Sequence, residues 1–184
     1  MIRLFVALKI PDEAKEKIFS YLETVSNFSD FRWEPKEKIH LTLKFIGDVR
    51  EELLQNISDE IEFVKQYSSF DCKISRLGFF FRNNEPRILW SNLDTHKSIL
   101  SLVNELNERL EKFDIAVEKR KFKGHLTLLR MKRRVDEEFI RNIKEINFNP
   151  IQFNTNRVAL IQSYLKPGGS EYKVLKNYEL NNGG

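Results

Sequence analysis

Two of the three histidines open the same tetrapeptide, His40-Leu41-Thr42-Leu43 and His125-Leu126-Thr127-Leu128. Side chains alternate faces along a strand, so on a strand each copy sends its leucines one way and its histidine and threonine the other. Two such strands facing each other present two imidazoles and two hydroxyls across a cleft. An unperturbed imidazole titrates near pH ~6.5, so one of a pair can activate water while the other protonates a leaving oxygen. The threonine hydroxyls can donate to the non-bridging oxygens of a phosphodiester, where transition-state charge gathers. This set fits phosphodiester hydrolysis without a metal. A zinc reading is weaker, because a catalytic zinc usually takes three protein ligands and no His-Glu-x-x-His or Cys-x-x-Cys spacing occurs. No metal and no other cofactor is expected.

Charge points the same way. The window from Lys119 to Arg134 holds eight basic residues and no acidic one, against a net +4 for the whole chain, so the remainder is acidic. A concentrated basic patch suits a phosphate-bearing partner. Within and beside the motifs, Lys44 shares strand parity with His40 and could face the phosphate. Arg130 has the opposite parity to His125, so only a bulge or a strand end would turn it inward. Phe45, Phe81 and Tyr164 are candidates to stack on a terminal base. His96 reads as exposed at a helix start. Cys72 has no basic or histidine neighbour and reads as inert. The Gly168-Gly169 pair reads as a turn.

The elements that must position these residues repeat. Residues 12–26 predict a helix capped by Asp12, with Ala14, Ile18, Leu22 and Val25 on one stripe. A short strand follows at Phe31–Glu34, then the first motif strand at Ile39–Ile46, a helix over 51–66, and strands near 70–80 and 87–93. Between the last two, Arg82-Asn83-Asn84-Glu85-Pro86 is rich in turn formers. The second half runs in the same order: a helix over 95–112 capped by Asp94 or Thr95, a short strand at Asp114–Glu118, the second motif strand at His125–Arg130, a helix over 136–146, and strands near 153–164 and 171–180 joined by a Lys166–Ser170 turn. Each half is αββαββ with the motif strand as its third element, and strand Ile2–Leu8 must join one of the sheets. The expectation is an α+β fold of 184 residues: a duplicated, bilobal αββαββ single domain, with two mainly antiparallel sheets flanking a central cleft and helices outside. The motif-bearing repeats fall at about 12–93 and 94–180.

With these residues in view, the chain resembles the 2H phosphoesterase superfamily, and within it the bacterial and archaeal RNA 2′,3′-cyclic phosphodiesterases, also called 2′-5′ RNA ligases. The likeness runs from Arg3-Leu4-Phe5-Val6-Ala7 and Trp33 through Ile39–Gly47, Pro86–Trp90 and His125–Arg130 to Pro167-Gly168-Gly169-Ser170-Glu171-Tyr172. The resemblance implies opening of a terminal 2′,3′-cyclic phosphate on RNA to a 2′-phosphate, with possible reverse 2′-5′ ligation. It also implies His40 as proton donor, His125 as proton acceptor, and Thr42 and Thr127 as phosphate holders. One departure is Gly124, where the family often has proline before the second histidine.

Two rival readings remain. One is a 2′-5′ oligonucleotide or small cyclic-nucleotide phosphodiesterase using the same site. The other is an RNA-end binding module without turnover. Composition excludes more than it selects. With 41% hydrophobic and 32% charged residues the chain is ordinary for a globular domain. No apolar run approaches the roughly 20 residues of a bilayer span, and the N-terminus is too charged for a secretory signal. One cysteine cannot form an internal disulfide. A cytoplasmic monomer acting on RNA, away from membranes, is the expectation.

Overall fold

The computed structural model describes residues 1–25 and 28–181. The chain opens on strand β1 (Ile2–Lys9) and helix α1 (Asp12–Leu22), then enters the first motif strand, β2 (His40–Val49). Ala14, Ile18 and Leu22 are buried along one stripe of α1, as their spacing requires. Asp12 does not cap the helix; it pairs instead with Lys15 at 2.6 Å. Ser26, placed at the helix end by its sequence, lies outside the described residues. The segment expected as a strand at Phe31–Glu34 makes one bridge, Trp33 to Leu129, and the Glu34 N–H donates to the Leu128 carbonyl.

Residues 51–66 form α2 (Leu54–Glu60) between two 3₁₀ turns rather than one continuous helix. In the second turn, three residues per turn put Ile61 and Val64 on one buried face. The chain then runs through β3 (Phe70–Ile74), β4 (Leu77–Arg82), β5 (Glu85–Asn92) and the two-residue β6 (Asp94–Thr95) into α3 (Ser98–Glu111). The region near 70–80 is thus two strands in different sheets, with Asn92 Oδ1 accepting from the N–H groups of both Ser75 and Arg76 at the crossing. Asn83 and Asn84 both take positive φ, 53° and 60°, and make the tight hairpin between β4 and β5. Asp94 and Thr95 belong to β6 and do not cap α3.

After α3 come β7 (His125–Arg130), α4 (Glu137–Glu145), β8 (Ile151–Thr155), β9 (Arg157–Tyr164) and β10 (Glu171–Glu179). Asp136 caps α4 by accepting from the Phe139 N–H at 2.8 Å. Residues 114–118 are not a strand: the Glu118 N–H is taken by Asn107 Oδ1 and the Ala116 carbonyl by Lys44, so side chains replace a neighbouring strand.

Among the described residues all strand pairs are antiparallel, in three sheets ordered β10-β9-β1-β2, β4-β5-β7 and β6-β3-β8. The sheets do not coincide with the sequence halves. The first motif strand, β2, shares its sheet with the C-terminal hairpin β9–β10, while the second, β7, is paired by the hairpin β4–β5 of the first half. The two halves have exchanged hairpins. One continuous core, including Leu41, Leu43, Leu126 and Leu128, runs beneath both motif strands.

Candidate active site

Both motif strands carry the same irregularity. Opposite β1, Thr42 pairs with Ala7 and Lys44 with Val6, so Leu43 is an extra residue. Opposite β5, Thr127 pairs with Trp90 and Leu129 with Leu89, so Leu128 is extra. A bulge at the fourth position of each tetrapeptide inverts the alternation beyond it. Two consecutive residues are therefore buried in each strand, Leu43-Lys44 and Leu128-Leu129, and the next side chain, Phe45 or Arg130, emerges on the face of the histidine and threonine.

This bulge corrects the expectation for Lys44. Its side chain lies in the core, 3% exposed, with Nζ donating to Asn107 Oδ1 at 2.6 Å and to the Ala116 carbonyl at 2.5 Å. Burial lowers its pKa, with Glu118 opposing. It does not line the cleft. Arg130 and Phe45 do, through equivalent bulges.

The cleft, about 240 Å³, is walled by His40, Thr42 and Phe45 from β2, by His125, Thr127 and Arg130 from β7, by Arg3 and Phe5 from β1, Ser163 from β9 and Tyr172 from β10, and by Leu165 just after β9. Glu34, Lys38 and Ser170 complete it. The histidines are held alike. His40 Nδ1 donates to the Lys38 carbonyl at 2.7 Å and His125 Nδ1 to the Lys123 carbonyl at 2.9 Å, each two residues back. A carbonyl only accepts, so each neutral ring carries its proton on Nδ1 and keeps Nε2 as the free basic nitrogen.

The surroundings of the two rings differ. His40 is flanked by Phe5, with centroids 4.9 Å apart, and by Tyr172 edge-on at 5.5 Å. His125 meets Phe80 edge-on at 5.1 Å. Burial, together with the positive charges of Lys9, Arg130 and His125 and against the Lys38 hydrogen bond, pushes the His40 pKa down to about 4. The free protein therefore holds a neutral His40 at pH 7. Stability is linked to this shift, because the unfolded chain binds the proton near pH ~6.5 and the folded chain only near 4. Stability is full above pH ~6.5 and falls as pH drops towards about 4, by up to ~1.4 kcal/mol per unit. Urea unfolding across this range should show the loss in the native protein and its reduction in His40→Gln.

Arg130 is aimed by Glu34, with Nε 3.2 Å from Oε1. Arg3 grips Asp48 through two hydrogen bonds of 3.1 and 2.7 Å and lies over the Phe45 ring, 5.8 Å from its centroid. Lys38 Nζ donates to the Ser170 carbonyl at 2.7 Å, tying the approach to β2 to the β9–β10 turn.

Gly124 has a steric reason. A Cβ there would lie 2.4 Å from the Leu93 carbonyl oxygen, while the Leu93 N–H donates to the Gly124 carbonyl. Gly124→Ala should cost about 1–3 kcal/mol, the usual range for overpacking, and thermal unfolding would measure it.

Other candidates fall outside the cleft lining. Phe81 and Tyr164 are exposed, the latter with its hydroxyl on Gln162. His96 is exposed and bonded to Ser98. Cys72 is buried, its thiol pushed up to about 12 by desolvation. Among the described residues no group of three or more His, Cys, Asp or Glu is placed to hold a metal ion. Sequence reasoning did not assign Arg3, Phe5, Glu34, Lys38 or Tyr172 to the site. Arg3, Phe5 and Tyr172 stand in stretches that carried the resemblance, and that was their only signal.

Known proteins share both the sequence pattern and the fold. The family model described as LigT like Phosphoesterase matches twice, over residues 8–90 and 93–172, once on each half. A protein of Archaeoglobus fulgidus named RNA 2′,3′-cyclic phosphodiesterase is 32% identical, over 97% of this chain and 100% of its own. A protein of the same name from Thermotoga maritima is 29% identical, over 99% of this chain and 97% of its own. Among solved structures, one from Thermus thermophilus superposes with a TM-score of 0.81 at 24% identity, covering 98% of this chain and 99% of that one. E. coli LigT complexed with 3′-AMP superposes at 0.72 and 22% identity, covering 98% and 99%. These superpositions bear out the α+β fold.

Proposed function

The chain belongs to the LigT-like phosphoesterases, and from that premise we propose that it is an enzyme hydrolysing the 2′,3′-cyclic phosphate ends of RNA to 2′-phosphates. The observation that carries the reading is the matched pair of imidazoles, each fixed through Nδ1 to a backbone carbonyl and each leaving Nε2 free in one cleft with two threonine hydroxyls. The relatives named for this reaction supply the substrate class.

In this scheme His125 takes a proton from water as it attacks phosphorus. The P–O3′ bond breaks, and His40 delivers a proton to the departing 3′ oxygen, leaving the phosphate on O2′. Thr42, Thr127 and Arg130 hold the non-bridging oxygens, and Phe45 offers a face to a nucleobase. His40 must gain its proton with the substrate. A phosphodiester anion beside it opposes the burial, and after it the cations, that lower its pKa in the free protein. No metal takes part in these steps, and the same steps with a 5′-hydroxyl in place of water, its proton passing to His125 as P–O3′ breaks, join that hydroxyl to the cyclic end as a 2′-5′ linkage without a nucleotide cofactor. A pure RNA-end binder would have no need of two imidazoles matched in orientation.

The test is a short RNA ending in a 2′,3′-cyclic phosphate, incubated in excess EDTA and followed by mass and ³¹P NMR. Gain of one water with a 2′-phosphomonoester signal is the expected result. An oligonucleotide left unchanged both in EDTA and with added divalent metal would overturn the reading.

A further inference from the structure

The basic window resolves into two exposed segments, one at each end of β7. Lys119, Lys121 and Lys123 lie in the coil that enters the strand at His125, and Lys132, Arg133 and Arg134 in the turn that leaves it after Arg130. Several surface cations outside the window are paired with carboxylates, as in Lys17–Glu13, Arg109–Glu60, Arg157–Glu179 and Lys166–Glu171. Among the described residues, none of these six has an ion-pair partner; within the window only Arg120 and Arg130 do.

These segments are not free tails. The first is fastened at 116–118 by Lys44 and Asn107, and at 123–124 by the bonds from His125 and Leu93. The second is fastened by the Met131 N–H to the Arg87 carbonyl, by the buried Met131 side chain, and by Asp136 at the cap of α4. Unneutralised cations on fastened backbone repel one another, a cost that a polyanion removes. The sheet that carries β7 also exposes two aromatic rings on β4: Phe80, which touches His125, and Phe81, 56% exposed. Exposed aromatic faces beside a cationic track are the combination that holds single-stranded nucleic acid, through stacking and phosphate contacts.

We propose that the surface around β7 binds the single-stranded body of the RNA upstream of its cyclic end, so that the preferred substrates are oligoribonucleotides rather than free nucleoside cyclic phosphates. This rests on the function proposed above and names its substrate class. Each phosphate contact on a single strand releases condensed counterions and contributes about −0.7 to the slope of log affinity against log salt. Four contacts would cost roughly fifty-fold between about 50 and 200 mM salt, and a mononucleotide cannot make them.

The experiment compares kcat/KM for a nucleoside 2′,3′-cyclic phosphate and for a single-stranded twelve-mer with the same end, across that salt range. It uses the native protein and the variant Lys119→Gln/Lys121→Gln/Arg133→Gln/Arg134→Gln. The native protein should favour the twelve-mer at least tenfold at low salt and lose that preference as salt rises. The variant should lose it at all salts while turning over the mononucleotide at the native rate. Equal kcat/KM on both substrates, or a length preference that survives both salt and the four substitutions, overturns the proposal. Fluorescence anisotropy with a twelve-mer ending in a 3′-hydroxyl separates the two readings. Salt-sensitive binding lost in the variant supports the surface even if neither cyclic substrate reacts, which would instead count against the proposed reaction. Binding to anionic phospholipid vesicles with no affinity for the twelve-mer would assign the cations to a membrane and overturn the RNA track.

Discussion

His125→Ala is expected to lower kcat/KM on an RNA 2′,3′-cyclic phosphate by about 10²–10⁴-fold, and His40→Ala by a similar factor, equivalent to ~3–5 kcal/mol of transition-state stabilisation each. The double variant should fall much less than the product of the two, because acid and base act in one transition state and either loss disables the concert. Each ring makes one backbone hydrogen bond, so the variants should fold, and thermal unfolding is the control.

The two roles separate by leaving group. On a diester whose leaving group is a nitrophenolate, which departs without a proton, the variant lacking the acid should recover most of its rate, and the variant lacking the base should not. The scheme expects recovery for His40→Ala. Recovery for His125→Ala instead would exchange the roles while leaving the paired mechanism intact. The pH profile carries a second signature. Activity needs one proton shared between the two imidazoles, so kcat/KM should be bell-shaped in pH, falling on the acid side as His40 gains its proton near 4 and on the alkaline side as the pair loses the shared one, whichever ring is the acid.

Arg130→Ala is expected to cost about 10²–10³-fold in kcat/KM, the usual effect of removing a donor to a charged transition state. Lys44→Met should leave kcat/KM within about threefold of native. Simple alternation along the strands assigns these two cations the other way round. The bulges at Leu43 and Leu128 reverse it, sending Lys44 into the core and Arg130 into the cleft. The loss expected from Lys44→Met is in stability, about 1–3 kcal/mol, because the buried Asn107 side chain, together with the Ala116 carbonyl, loses its donor. Steady-state kinetics and urea unfolding on the two variants read these effects separately. A large kinetic loss in Lys44→Met with Arg130→Ala near native would refute the bulge-based assignment.

What was legible in the sequence was local and periodic. The apolar stripe of α1, the leucines of both tetrapeptides and the turn at Asn83-Asn84 lie where their spacing places them. The side chains of the two tetrapeptides were legible for the same reason, since parity holds up to the bulge. Beyond it, nothing in the composition of Leu43-Lys44 or Leu128-Leu129 marks an extra residue; the pairing with β1 and β5 creates it. Tyr172 and Phe5 reach His40 only because β10, β9 and β1 share a sheet with β2, and that neighbourhood is a product of long-range pairing. The 114–118 segment has strand-like composition, yet Asn107 and Lys44 satisfy its backbone first.

The exchanged hairpins bear on how the chain comes into being. As it leaves the ribosome, β1 and β2 can zip together early, but the other edge of β1 waits for β9, whose Arg157 begins nearly a chain length away. Such distant pairings close large loops before any contact offsets the lost entropy, and they slow folding. Until then the nascent sheet carries an open hydrogen-bonding edge, the kind that recruits other chains. Neither half can shield itself, because the sheet of each motif strand takes a hairpin from the other half.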